Sequence, residues 1–296
     1  VAGSFGIILR MVLTTLFWGG TFIAGRFLAQ SMPHFVAACL RFCFALVGLG
    51  AYVALSGRRL QWPNRSQWWA MLGLGATGIF AYNAGFFAGL GRIQASRAAL
   101  IVAASPVITL CAVNWIQRAR WVPRQVLGVL LSFAGALVVV SRGHPLNLIE
   151  GAGGMGELFI FGAVLAWVVY TLLLRYQSQG LDALSMTFFS ILCGTLMLAV
   201  PAAVEWQAAE WQMPSPTEWA AIAYLGLIGT ALSFVWYSQA VAVMGAARTT
   251  QYTNLVPFFG VLLSAILLRE AIPLASVAGG VMVVGGVMLA NRARKP

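Results

Sequence analysis

Ten apolar stretches, joined by connections of a few residues over much of the chain, constrain what this sequence can fold into more than any other feature. They run 7–29, 33–56, 67–90, 93–116, 121–141, 155–176, 183–204, 218–242, 246–268 and 272–291. A helix of about 20 mainly apolar residues crosses the hydrocarbon core of a bilayer, and it satisfies its own backbone polar groups there. The links around Gly91–Arg92 and Met244–Gly245 have room for a turn only, so the helices they join run antiparallel. An all-α membrane protein of ten transmembrane helices is the expected fold. Composition leaves little room for a soluble domain, because 60% of residues are hydrophobic and 8% charged, against about 25% charged in soluble domains. The first stretch is too long for a cleavable leader and leads directly into a second span.

Eighteen Lys and Arg against seven Asp and Glu give a net charge of +11. No basic run lies on a soluble module, so nucleic acid is not an expected partner. The bases instead report orientation, since cytoplasmic loops are enriched in Lys and Arg. With the N-terminus inside, Arg10, Arg58, Arg59, Arg65, Arg118, Arg120, Arg124, Arg175, Arg292, Arg294 and Lys295 are cytoplasmic, while Arg92, Arg142 and Arg269 are outside. Both termini are then cytoplasmic, and the acidic segment from Glu205 to Glu218 is an outer loop.

The chain repeats itself. At an offset of 151, Trp68, Leu74, Gly75 and Gly78 match Trp219, Leu225, Gly226 and Gly229; Ala95, Arg97 and Pro106 match Ala246, Arg248 and Pro257; Gly128 and Gly135 match Gly279 and Gly286. Nearer the N-terminus the offset is 149, pairing Leu16, Trp18 and Arg26 with Leu165, Trp167 and Arg175. The repeats are residues 1–145 and 146–296, within one integral membrane domain. Each holds five spans, an odd number, so the second enters the membrane upside down. Inverted repeats of this kind characterise alternating-access transporters, with substrate bound near the midplane between the halves.

Polar and aromatic residues at membrane depth mark the candidate cavity, because an unpaired polar atom there is costly. Tyr82 and Ser233 sit mid-span at matched positions of the third and eighth stretches. Glycines on the same stripes also allow close helix approach. Gln251, Tyr252 and Asn254 make the ninth stretch unusually polar beside Pro257. Pro106 and Pro257 each remove a backbone donor, giving either a flexing kink or a static bend. Arg97 and Arg248, about a turn inside opposite ends, either snorkel to headgroups or act as gates. Arg41 lies deeper and requires a partner. The acids, Glu150, Glu157, Asp182, Glu205, Glu210, Glu218 and Glu270, all fall in loops or at helix ends, and the histidines, His34 and His144, lie near an outer surface. Lys295 is the sole lysine. Carboxylate proton pumps, intramembrane aspartyl proteases and Schiff-base chemistry are thereby disfavoured. Cys39 and Cys43 share a helix face without a further ligand, so no metal, cofactor or enzymatic activity is expected.

Trp18-Gly19-Gly20-Thr21-Phe22, Leu40-Arg41-Phe42, and Pro257 followed by Leu268-Arg269-Glu270 resemble the EamA-type drug/metabolite transporter superfamily, and the chain looks most like its YddG-type exporters of aromatic and other neutral amino acids. Repeat one departs from the pattern, with Arg118-Ala119 where repeat two has Arg269-Glu270. The resemblance implies a ten-helix basket in the bacterial inner membrane around a central cavity. Its lining is expected to include Trp18, Trp167, Tyr170, Tyr237 and Gln239 with the polar residues above, and gating is expected at Arg97, Arg248, Glu270 and the two prolines. A neutral amino acid is the expected substrate. Nucleotide-sugar or other metabolite exchange is the first alternative and multidrug export the second. Cysteine labelling from either side of sealed vesicles should place both chain ends in the cytoplasm, and an extracellular Lys295 would sink the ten-span topology.

Overall fold

A computed structural model of the chain describes residues 2–118, 121–141, 154–176, 180–208, 213–268 and 274–291. Among these residues the chain forms ten helical rods and no strand. They are α1 (Ala2–Ser31), α2 (His34–Ser56), α3 (Arg65–Leu90), α4 (Ala95–Val102 and Ser105–Gln117), α5 (Pro123–Ser141), α6 (Met155–Tyr176), α7 (Ala183–Ala208), α8 (Pro216–Met244), α9 (Ala246–Gln251, Tyr252–Asn254 and Leu255–Leu268) and α10 (Leu274–Asn291). The rods follow the ten apolar stretches to within a few residues. Seven of them, α1 to α4 and α6 to α8, are long and apolar enough to cross a membrane; α5 and α10 are apolar but shorter over their described residues.

Local chemistry starts the rods at matched places. Asn64 and Gln67 form a reciprocal capping box at the head of α3, and Ser215 and Glu218 form its counterpart at the head of α8, 151 residues later. Each box satisfies two backbone donors that the first helical turn leaves unpaired. At the head of α2 the work is done from a neighbour: Glu205, on α7, accepts from the Phe35 and Val36 amides at 2.7 and 3.2 Å. Asp182 accepts from the Ser185 amide at the head of α7.

Packing repeats with the sequence. Exchanging the halves turns the α1–α9 contact into α6–α4, α3–α6 into α8–α1, and α2–α8 into α7–α3, and all six contacts are present. Two pairs, α2–α7 and α5–α10, map onto themselves. In the second, Gly128 lies beside Ala290, Ser132 beside Gly286, and Val139 beside Gly279, so these sequence-matched rods run antiparallel. Their approach is backbone to backbone. A Cβ built on Gly135 would stand 2.6 Å from the Gly279 carbonyl oxygen, and one on Gly279 would stand 2.7 Å from the Gly135 carbonyl oxygen.

The same logic holds α3 and α8. A Cβ on Gly75 would meet the Ser190 carbonyl oxygen, the Cys193 Cβ and the Gly194 amide at 2.9, 2.9 and 2.7 Å; one on Gly226 would meet the Arg41 carbonyl oxygen, the Phe44 Cβ and the Ala45 amide at 2.5, 2.5 and 3.2 Å. Each trio is the other's repeat equivalent. Around these glycines both rods widen into π-helical turns, Gly75–Ala81 in α3 and Tyr224–Leu232 in α8. Such turns are rare and cluster at functional sites. Two hydroxyls of α8 reach carbonyls five residues back, Thr230 to Leu225 and Ser233 to Ile228, at 2.8 and 2.7 Å.

Gly135→Ala should destabilise the protein by about 1–3 kcal/mol, the usual range for overpacking, despite alanine's higher helix propensity. Gly162 on α6, with no atom within 4 Å of a built Cβ, is the control, and Gly162→Ala should leave the thermal midpoint in detergent unchanged or slightly raised.

Candidate functional site

Seven rods surround a central cavity. Trp18, Thr21 and Phe22 of α1, Tyr82 and Phe86 of α3, Trp167 of α6 and Phe234 of α8 supply most of its wall; Arg41 of α2, Val102 and Ser105 of α4, Val164 of α6, and Thr253 and Val256 of α9 complete it. Its volume is about 40 Å³. One water needs about 10–15 Å³ by the same measure, so an amino acid side chain enters only if the walls move.

Trp167 organises the aromatic part. Trp18, Tyr82, Tyr170, Phe234 and Tyr237 all place ring centroids 4.9–5.4 Å from it. Trp18 and Trp167 are repeat equivalents and meet edge to face at 5.3 Å, so the pair sits where the two halves join. The Trp18 indole donates to the Gly229 carbonyl at 3.0 Å, which fixes its ring against the π-helical turn of α8.

The polar part is made by one half more than the other. Arg41 is 3% exposed; its Nε donates to Thr230 Oγ1 at 2.8 Å and its NH1 to Asn83 Oδ1 at 3.1 Å. Asn83 in turn donates to the Ile79 carbonyl at 2.8 Å. The repeat equivalents of Arg41, Asn83 and Thr230 are Ser190, Phe234 and Ile79, so this polar cluster has no copy across the axis. Arg41's requirement for a partner was legible in the sequence, whereas Asn83 and Thr230 were missed. A lone amide beside Tyr82 in an apolar span was the available signal for Asn83.

The structure brings Trp18, Tyr82 and Trp167 together on the cavity wall. Tyr170 and Tyr237 lie directly behind them, fully buried, with the Tyr237 hydroxyl 2.7 Å from Thr171 Oγ1. Ser233 is buried, its hydroxyl held by the Ile228 carbonyl. Gln239 stands near the end of α8, accepting from Arg10 at 2.7 Å and not part of the cavity lining. On α9 the turn Tyr252–Asn254 presents Thr253 to the cavity, with Thr253 Oγ1 3.3 Å from Ser105 Oγ. Asn254 faces α5 instead and donates to Ser132 Oγ at 2.6 Å. Tyr252 and Gln251 are buried outside the wall.

Both prolines follow helix interruptions. α4 stops at Val102 and restarts at Ser105, with Pro106 in the new first turn; α9 passes through a 3₁₀ turn at Tyr252–Asn254 before Pro257. Arg97 pairs with Glu157 at 3.0 Å across α4 and α6. Arg248, half-buried, marks the corresponding turn of α9. Glu270 lies outside the described residues. Glu157, Asp182, Glu205 and Glu218 are all engaged at helix ends, so none of the described acids reaches the cavity. No cluster of His, Cys or acids suited to a metal occurs among the described residues.

Asn83→Ala would leave the Arg41 guanidinium with one side-chain acceptor fewer. Losing a bond to a buried charge costs about 1.5–3 kcal/mol, which thermal unfolding of the purified variant should register.

The profile of the EamA-like transporter family matches the chain twice, over residues 5–141 and 154–292. The chain is 29% identical over 218 residues to an uncharacterized transporter, YyaM, of Bacillus subtilis, covering 74% of this chain and 71% of that one. It is 27% identical to an uncharacterized transporter of Archaeoglobus fulgidus, over 95% of this chain and 96% of that one. It is also 28% identical to a probable terminal-alkyne amino-acid exporter of Streptantibioticus cattleyicolor, over 95% and 92% of the two chains. A solved crystal structure shares the fold at a TM-score of 0.75 and 19% identity, each chain covered to 96%. The family's members are transporters rather than enzymes, and the duplicated match agrees with the repeat read from the glycines. This chain belongs to the EamA-like transporter family and is a multi-pass integral membrane protein.

Proposed function

We propose that the chain exports small neutral metabolites, foremost aromatic and other neutral amino acids, by alternating access. In this reading all ten rods span a bacterial inner membrane as two inverted five-helix repeats, residues 1–145 and 146–296, with both termini cytoplasmic. The cavity carries the proposal: it sits where the halves meet, and Trp18, Trp167, Tyr82 and Phe234 offer ring faces to an apolar body while one charged group offers orientation. The likeness to a probable terminal-alkyne amino-acid exporter supports an amino acid. A nucleotide sugar fits less well, since a pyrophosphate calls for several cations and Arg41 is the only cation on the wall among the described residues. Cationic drugs fit least, because the described wall carries no acid.

The repeats supply the moving parts. The interruptions at 103–104 and 252–254 divide α4 and α9 into segments that can reorient, and the widened turns of α3 and α8 give those rods a second way to bend. The Arg97–Glu157 pair ties α4 to α6 at the outer end in this topology, so opening outward requires it to part.

Liposomes holding the purified protein should show counterflow of neutral amino acids at equal pH on both sides, and little of nucleotide sugars or cationic dyes. With no acid or histidine on the described cavity wall, an imposed pH gradient alone should drive no net accumulation. Uphill uptake powered by protons and abolished by Glu270→Gln would instead place coupling at that rim carboxylate.

A further inference from the structure

The packing of Gly226 at position 41 does not require an arginine. Gly226 packs on the Arg41 carbonyl and the Phe44 Cβ just as Gly75 packs on the Ser190 carbonyl and the Cys193 Cβ, so serine serves the same packing position in the other half. What the arginine adds is a charge where charge is expensive. Removing an ion from water costs several kcal/mol unless a counter-ion and hydrogen bonds repay it. Arg41 has the hydrogen bonds, to Thr230 and Asn83, but both acceptors are neutral. No acid among the described residues is paired with Arg41.

From this we infer that Arg41 is the receptor for a substrate carboxylate, which makes the site selective for monocarboxylates with an aromatic or branched apolar body. The inference deepens the transport proposal and rests on its reading of this cavity as the substrate site. Arg41 lines the cavity together with Trp18 and Tyr82, and its guanidinium lies 5.2 Å from the Phe42 ring centroid. It carries five N–H donors, and Thr230 and Asn83 take one each, which leaves donors for an anion. A carboxylate supplies the missing counter-charge and matches the planar fork of donors. One cation neutralises one negative charge, so a phosphate dianion would enter with charge left over.

The same wall has nothing comparable for the other end of an amino acid. The described lining carries no carboxylate, so an ammonium group finds ring faces, whose attraction is offset by the loss of its hydration. The carboxylate is then required and the ammonium dispensable. An amine lacking a carboxylate brings a second positive charge toward Arg41 and is repelled.

Calorimetric titration of the purified full-length protein in detergent tests this without depending on transport. Phenylalanine and 3-phenylpropanoate should both bind, with affinities within about tenfold of each other. Phenylalaninamide and phenethylamine should bind at least about tenfold more weakly than phenylalanine, the factor expected from losing one charge-assisted bond. Inorganic phosphate and a uridine diphosphate sugar should not displace 3-phenylpropanoate. In Arg41→Gln the preference for acid over amide should disappear, and if that variant does not fold the acid, amide and amine series on the native protein still decides. Equal binding of acid and amide, a retained acid preference in Arg41→Gln, displacement by phosphate, or no binding by any carboxylate would each overturn the assignment. Amino acid counterflow that is indifferent to the carboxylate would remove this assignment and leave the transport proposal standing. Carboxylate-selective binding without counterflow would do the reverse.

Discussion

Inside hydrocarbon no hydrophobic force presses one apolar helix onto another, because lipid tails are as apolar as leucine. What brings these rods together is backbone approach at glycines, where the absence of a Cβ lets two main chains come within van der Waals contact. The α5–α10 pair has this contact at Gly135 and Gly279, and α3 and α8 have it against α7 and α2 at Gly75 and Gly226. Because these glycines occur in matched positions, one local solution is used twice and the two halves close on each other about a shared axis. The central cavity is what remains between rods held at their outer flanks.

That duplication is legible in the sequence itself. Constant offsets of 151 and 149 identified which rods correspond, and the pairing of Trp18 with Trp167 placed two rings where the halves meet. Rod limits were equally legible, since an apolar run ended by Gly, Pro, Asn or Ser leaves little freedom in where a helix stops. The direction of individual side chains was harder. An α-helix turns 100° per residue, and a wheel drawn at that angle fails wherever the helix changes type. Three residues of 3₁₀ geometry at Tyr252–Asn254 advance by about 120° each, which sends Thr253 to the cavity and Asn254 to α5. Ser233 directly follows a π-helical stretch that unwinds the rod the other way, and its hydroxyl satisfies its own backbone.

Polar groups at depth divide into two kinds. Most of the described threonines and serines return a hydrogen bond to a carbonyl three to five residues earlier, as Thr77 does to Gly73 and Thr195 to Ile191. Asn83 and Thr230 also bond to their own helices, but with Arg41 they link three different rods, α2, α3 and α8, through side chains. Their repeat equivalents, Ser190, Phe234 and Ile79, include no charged group. A two-fold scaffold therefore carries a one-sided interior, with rings shared by both halves and charge contributed by one.

The residues of the Arg97–Glu157 pair also differ between the halves in sequence. Arg97 has its counterpart in Arg248, whereas the position matching Glu157 is held by Ile8. For a carrier that rocks between two orientations, identical halves would make the two orientations mirror states of equal energy. Residues that differ between the halves would tilt that balance, and each kcal/mol of tilt changes the ratio of dwell times about fivefold. Under the proposed alternating access, a resting orientation would come from the residues in which the halves differ and not from the scaffold they share.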